Sequence, residues 1–243
     1  GSMMRVVYEA LCWFSIVGIT MMYELYGATG LAYFTLFQLA VVYFDVHMST
    51  TASANMSRAV ANGFPRPLVI GIMIFNLIGT NMLVSWIAST FCGPIYRGKL
   101  HIAWDTPAMI IFNLALSELC FTAAHTALHR TEFGAFVHHL HHCCKPSSWS
   151  SNLMIHPVDM AIEFSGPVLV LLLTDRFIFR NPTALFLSLT VLQLWYAVDH
   201  SEYFQLAHYK HHEHINNFMC IYLKTRTNKV GRDRVRMLVK NYK

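Results

Sequence analysis

The stretch PLVIGIMIFNLIGTNMLVSWIAST, residues 67–90, contains no charged side chain. A helix needs about 20 mainly apolar residues to cross a bilayer, and this stretch is long enough. Runs of similar character recur along the chain, so the sequence predicts an all-α, polytopic helical membrane protein with four to six spans. The predicted segments are 6–26, 31–48, 67–90, 106–128, 157–173 and 182–200.

The composition of the whole chain excludes an ordinary soluble domain. Of the 243 residues, 55% are hydrophobic and 13% are charged, whereas soluble domains carry about 25% charged residues. Asn76, Asn81 and Glu118 interrupt the apolar runs. Because an unpaired polar group in lipid is costly, we expect these three side chains to face protein.

The C-terminal end of the chain is basic. Eight of the 18 lysines and arginines lie after Leu223, and the positive-inside bias places such a tail in the cytosol. If segments 157–173 and 182–200 cross the membrane and return, the segment 129–156 lies on the same side as the tail. Arg176 and Arg180, in the turn between those two segments, argue mildly against a full crossing. A tail with few aromatics is typical of lipid-headgroup contact, so no nucleic acid partner is expected.

Histidines are concentrated in one part of the chain, with 12 of 14 between His125 and His214. They form three boxes, HTALH at 125–129, HHLHH at 138–142 and HYKHH at 208–212. Positions i, i+3 and i+4 share one face of a helix, so each box can direct two or three imidazoles to one point. This spacing predicts metal ligands at His125, His129, His138, His141, His142, His208, His211 and His212.

Other histidines differ in their surroundings. His139 and His214 lie inside or beside boxes but point away on a helix, and His47 and His101 have no partner at helical spacing. We therefore expect these four not to bind metal. His156, with Asp159 three residues later, and His200, beside Asp199, are predicted as two further ligands.

Ten imidazoles exceed the four protein ligands that one zinc ion takes, and they suit two ions with four or five nitrogen ligands each. Imidazole binds iron, copper, zinc and nickel, so ligand type alone leaves the metal open. Cys143 and Cys144 follow the second box, but adjacent cysteines seldom both reach one ion.

Taken together, HTALHR at 125–130, HHLHH at 138–142, HPVD at 156–159, HSEY at 200–203 and HYKHH at 208–212 resemble the fatty acid hydroxylase/sterol desaturase superfamily. The resemblance covers about half of the chain, roughly 106–223. Three features depart from the family pattern. Glu202 replaces the glycine of HSGY, Tyr196 stands where one branch has a histidine, and NNFMCIYLKTRTNK follows the third box.

The resemblance implies an integral membrane di-iron oxygenase that hydroxylates a lipid of sterol, fatty acyl or sphingoid type. The positive-inside bias of the tail places its active site at the cytosolic face. The resemblance also implies two iron ions, with zinc as a possible occupant of purified protein, and dioxygen as co-substrate. The chain is too short for a fused redox domain, so a separate cytochrome b5-like or ferredoxin-like electron donor is expected. In a eukaryote the expected location is the endoplasmic reticulum.

The predicted organisation is a single domain. Membrane spans occupy 1–105, the histidine-box catalytic region 106–223, and the basic cytosolic tail 224–243. Asp159, Asp199 and Glu118 are candidates for orienting a ligand or lining the pocket. An acyl-lipid desaturase, whose three histidine boxes are similar, is the alternative enzyme. A metal transporter is the alternative of another class.

Overall fold

The computed structural model describes the backbone of residues 2–92, 102–145 and 148–200, and their side chains except for most of those before residue 25. Within these ranges the chain is helical and contains no β-strand, as the sequence predicts. The α-helices are α1 (Ser2–Met48), α2 (Thr50–Ala61), α3 (Arg66–Ile87), α4 (Thr106–Arg130), α5 (Glu132–Val137), α6 (Pro157–Thr174) and α7 (Pro182–Asp199).

Helix α1 is broken at Gly27. The backbone there has φ 60° and ψ −145°, a conformation that is open to glycine and strained for any residue with a side chain. The break separates the two predicted segments 6–26 and 31–48, both of which are helical.

Four helical segments within the described ranges are long and apolar enough to cross a membrane. This confirms the coarser prediction of an all-helical chain with at least four helices that could span a membrane. They are Leu25–Met48, Arg66–Cys92, Thr106–Arg130 and Pro157–Phe179. The last predicted segment forms α7 but is not among the four. It carries the polar residues Thr183, Ser188 and Gln193, all buried.

The chain divides into two compact units. The first holds three stretches of chain, Gly1–Val41, Leu77–Phe121 and Phe164–Trp195. Its polar groups pair inside the protein. Asn81 donates to Thr35 Oγ1 at 3.0 Å and Gln38 Oε1 at 2.5 Å, and Asn113 donates to Ser188 Oγ at 3.1 Å. Asn81 is buried, as predicted for a polar residue inside an apolar run.

The second unit carries the described histidine boxes and consists of Val42–Asn76, Thr122–Glu163 and Tyr196–Lys243. Asn76, also buried as predicted, donates to Leu153 O at 3.1 Å and Ile155 O at 2.7 Å. These bonds tie α3 to the loop that enters α6. Arg58 on α2 donates to Cys143 O at 3.1 Å, which fixes the chain just after the second box.

Candidate metal centre

The first box lies at the C-terminal end of α4. His125 and His129 are one turn apart on the same face, and their Nε2 atoms are 3.2 Å from each other. His125 is fully buried and His129 is half-buried. The i, i+4 relation predicted from HTALH is therefore present as a pair of adjacent imidazoles.

A sharp reversal follows the first box. Helix α4 ends at Arg130, and the Thr131 side chain caps α5 by accepting from Gly134 N at 3.0 Å. A Cβ atom on Gly134 would clash with the backbone of Leu128, so only glycine allows α5 to begin this close to the end of α4. The short helix α5 thereby brings the second box close to the first.

The second box lies on a turn and not on a continuous α-helix. Helix α5 ends at Val137, and a 3₁₀ turn covers His141–Cys143. The bond from His142 N to His138 O, 3.3 Å long, keeps the i, i+4 relation across this turn. His139 is half-buried, with its ring centroid 6.0 Å from that of Phe64, and burial lowers its pKa.

Four imidazoles from the two boxes converge. His125, His129, His138 and His142 each offer a ring nitrogen, and these nitrogens all lie within 4.8 Å of one another. The His142 and His129 Nε2 atoms are 3.1 Å apart. Two nitrogens bound to one tetrahedral zinc ion at 2.0–2.1 Å would lie about 3.3 Å apart. The donor type and spacing therefore fit a metal ion.

Two carboxyl groups on α6 contact the same imidazoles from the other side. Asp159 Oδ2 lies 2.7 Å from His138 Nδ1, and Glu163 Oε1 accepts a hydrogen bond from His125 Nδ1. Both carboxyl groups are buried. Where these carboxyl groups are ionised they accept from Nδ1, and in that tautomer the Nε2 atom of each ring carries the lone pair that a metal ion would bind.

The pairing of these acids differs from the sequence expectation. Asp159 was expected to orient His156, three residues before it, but its carboxyl group contacts His138 instead. Glu163 was missed. The available signal was a second acid in an apolar helix, four residues after Asp159 and so one turn along the same face.

A second pair of imidazoles lies in the same unit. His141 Nε2 and His200 Nε2 are 3.4 Å apart, and both side chains are buried. His200 Nδ1 donates to Tyr196 O at 2.8 Å. Burial lowers the pKa of His200 to about 4, with the Tyr196 bond opposing. His200 is therefore neutral near pH 7.

His156 lies at the start of α6 and belongs to neither group of imidazoles. Its Nδ1 accepts from Val158 N at 3.2 Å, which satisfies one of the free N–H groups at the start of that helix. Burial lowers its pKa. Whether it binds metal stays a prediction.

Other residues singled out in the sequence have distinct surroundings. His47 is exposed and stacks on Tyr43, with ring centroids 4.1 Å apart. Asp199 is buried, and Glu118 is half-buried on α4 in the first unit. His101, Glu202, His208, His211, His212 and His214 lie outside the described residues.

The cysteines after the second box are thiols and not thiolates at neutral pH. Burial raises the pKa of Cys143 to about 11 and that of Cys144 to about 12. Metal binding requires the thiolate. Cys144 instead lies 3.9 Å from the Met154 sulfur, in an apolar setting. Within the described residues, the two groups that could hold a metal ion are His125, His129, His138 and His142, and His138, Asp159 and Glu163, and neither contains a cysteine.

Compared with protein families, curated proteins and solved structures, the chain shows no significant match.

Proposed function

We propose that this chain is a membrane di-iron oxygenase that hydroxylates a lipid of sterol, fatty acyl or sphingoid type, using dioxygen and electrons from a separate protein. The observation that carries the proposal is the convergence of four imidazoles from two boxes, with nitrogens within 4.8 Å. Histidines that merely lie at the membrane interface and share no ligand are not expected to converge in this way.

The second ion of the proposed centre would be held by the His141–His200 pair. The 3.4 Å between their Nε2 atoms suits two ligands of one ion. We propose that His208, His211 and His212 of the third box complete its ligand set, with His156 as a further candidate. Iron bound at these sites would supply the dioxygen activation that oxidation of an unactivated C–H bond requires and no side chain provides.

The side chains of the chain itself have three tasks in this proposal. The imidazoles bind as neutral rings through Nε2, and the acceptors at Nδ1 hold the ring planes in place. The burial of His125, His138 and His141 keeps bulk water from the bound ions. The apolar helices of the chain are proposed to offer a lipid chain a dry path.

The buried acids that contact the histidine ligands favour a permanently bound metal ion over an ion that is being transported. An ion in transit needs sites that release it readily, whereas Asp159 and Glu163 fix two of the imidazoles from behind with buried carboxyl groups. We further propose that the centre faces the cytosol, where a cytochrome b5-like or ferredoxin-like donor docks on basic surface, at the endoplasmic reticulum in a eukaryote.

The proposal is tested by comparing the lipids of cells that express the chain with those of cells that express His129→Ala. We expect species heavier by one oxygen only with the unchanged chain, and about two iron ions per purified chain. If the lipids are instead lighter by two hydrogens, the reaction is desaturation and not hydroxylation. Unchanged lipids with altered cellular metal content would overturn the oxygenase in favour of a transporter.

A further inference from the structure

Glu163 stands between the two described histidine boxes. Its Oε1 accepts from Nδ1 of His125 in the first box and lies 3.8 Å from Nδ1 of His138 in the second. Asp159, one turn earlier on α6, takes the closer contact with His138 at 2.7 Å. One face of α6 thus presents two carboxyl groups to two imidazoles that come from different segments of the chain.

Burial of these two carboxyl groups costs free energy unless hydrogen bonds or an opposite charge compensate for the lost water. Glu163 is 6% exposed and Asp159 is 0% exposed, and α6 is one of the span-length apolar helices. A buried carboxyl group in such a helix is strongly disfavoured without hydrogen bonding to an opposite group. The imidazoles supply that bonding, and a cation on their far side would supply the compensating charge.

The ring geometry determines what Glu163 does. When Glu163 is ionised it can only accept at Nδ1, so His125 then carries its hydrogen there and directs its Nε2 lone pair toward His129, whose Nε2 is 3.2 Å away. A neutral histidine without such an acceptor exchanges between two tautomers and turns about its Cβ–Cγ bond. An acceptor at Nδ1 removes both freedoms and makes the ring a better electron donor.

We propose that Glu163 is a positioning residue of the metal centre, which fixes His125 in its Nδ1–H tautomer and strengthens metal binding through its negative charge. This inference rests on the metal centre of the proposed function but not on the identity of the reaction. In this proposal Glu163 acts through His125 and is not itself a metal ligand, although His138, Asp159 and Glu163 also lie close enough together to hold an ion. Its removal should therefore weaken metal binding without abolishing it.

The experiment measures metal affinity of the full chain purified in detergent and stripped of metal. Zinc affinity is obtained by competition with a chelator, and cobalt binding is followed by its visible absorption. The variants are Glu163→Ala, which removes the acceptor and the charge, and Glu163→Gln, which keeps an acceptor oxygen without the charge. Glu132→Gln on the exposed start of α5 is the matched control in the same unit.

We expect Glu163→Ala to weaken zinc binding about 10–100-fold, the usual effect of losing the partner of a ligating histidine. Glu163→Gln should fall between it and the unchanged chain, with a cobalt spectrum closer to the original. Glu132→Gln should change neither. In a His125→Ala background, Glu163→Ala should have much less effect on zinc affinity, since the side chain through which it acts is gone.

The outcomes separate this inference from the proposed function. Unchanged zinc affinity in Glu163→Ala, in protein whose metal-free melting temperature shows that it is folded, overturns the positioning role and leaves the oxygenase proposal standing. So does an equal loss of metal-free stability in both Glu163 variants without any loss of affinity, which would mean a purely structural acid. If the unchanged chain itself binds no metal, both proposals fail together.

Discussion

Replacement of His142 by alanine tests the four-imidazole cluster most directly, because His139 offers a matched control three residues earlier in the same turn. His142 Nε2 lies 3.1 Å from His129 Nε2 within the cluster. The His139 ring instead lies 6.0 Å from Phe64 and contributes no nitrogen to the group. Both side chains are half-buried, so loss of packing should be similar in the two variants.

The expected magnitude follows from the number of metal bonds. Removing one of four nitrogen ligands costs more than losing the partner of a ligand, so about 100-fold in affinity is a lower bound. At saturating metal this corresponds to about 2.7 kcal/mol of metal-dependent stability. For a chain of this size, such a loss lowers the melting temperature of the metal-loaded protein by about 5–11 °C.

The assay is the melting temperature of purified protein in detergent, measured with and without bound metal. His142→Ala should lose most of the difference between the two states. Its metal-free form should melt about as close to the unchanged chain as that of His139→Ala, because both side chains are half-buried. His139→Ala should shift both states alike, by the equivalent of about 1 kcal/mol or less.

The reasoning is refuted if His139→Ala loses the metal-dependent difference as fully as His142→Ala does. That result would mean that the metal is bound by His139 as well as His142. The turn over 138–143 in this structure would then place the wrong imidazoles at the metal.

Three further predictions concern the scaffold and its orientation. Asn76→Ala removes the donor that pairs with the two buried carbonyl groups of Leu153 and Ile155. The free energy of unfolding, measured by chemical denaturation, should fall by about 2–4 kcal/mol. A loss below about 0.5 kcal/mol would show that these hydrogen bonds do not hold α3 to the loop before α6. Gly134→Ala should lower bound metal, measured by elemental analysis, because its Cβ clashes with backbone at the reversal between the boxes, whereas Gly71→Ala, with nothing within 4 Å of its Cβ, should retain metal. Single cysteines in place of Glu132 and Lys240 should react with an impermeant maleimide from the same, cytosolic side, and labelling from opposite sides would refute the proposed topology.

Local spacing made part of the site predictable. The relation between His125 and His129 depends only on helix geometry, and a long apolar run determines that geometry without reference to the rest of the fold. The burial of Asn76 and Asn81 was equally accessible, because a polar amide in a span has no favourable partner in lipid. In each case the physical cause lies within one helix.

The second box was predicted for a reason that is only partly right. HHLHH was expected to work as a stretch of helix, yet it lies on the turn that follows α5. The i, i+4 relation is nevertheless kept, by the bond from His142 N to His138 O. A single helical turn suffices to bring two imidazoles to one side, so the spacing carried the correct information although the element did not extend.

Contacts between distant parts of the chain could not be obtained this way. Glu163 meets His125 across 38 residues, and His141 meets His200 across 59. Nothing in the local pattern says which imidazole a carboxyl group on α6 will face. For that reason Asp159 was assigned to His156, its neighbour in the sequence, whereas the fold pairs it with His138.

Three of the imidazole rings share a common geometry. His125, His138 and His200 are each bonded at Nδ1 to an acceptor, which is a glutamate, an aspartate and a main-chain carbonyl respectively. These acceptors are chemically unrelated and come from different segments, yet where each accepts from Nδ1, the Nε2 atom of that neutral ring carries the lone pair that a metal ion would bind. The same Nδ1 bond to a main-chain carbonyl occurs at His47, which bonds to Tyr43 O at 2.8 Å and is not an expected ligand, so an Nδ1 bond alone does not mark a metal ligand. His125 and His138 differ from His47 because they converge with His129 and His142 within 4.8 Å, and this convergence is the physical reason to regard these four histidines as a candidate metal site.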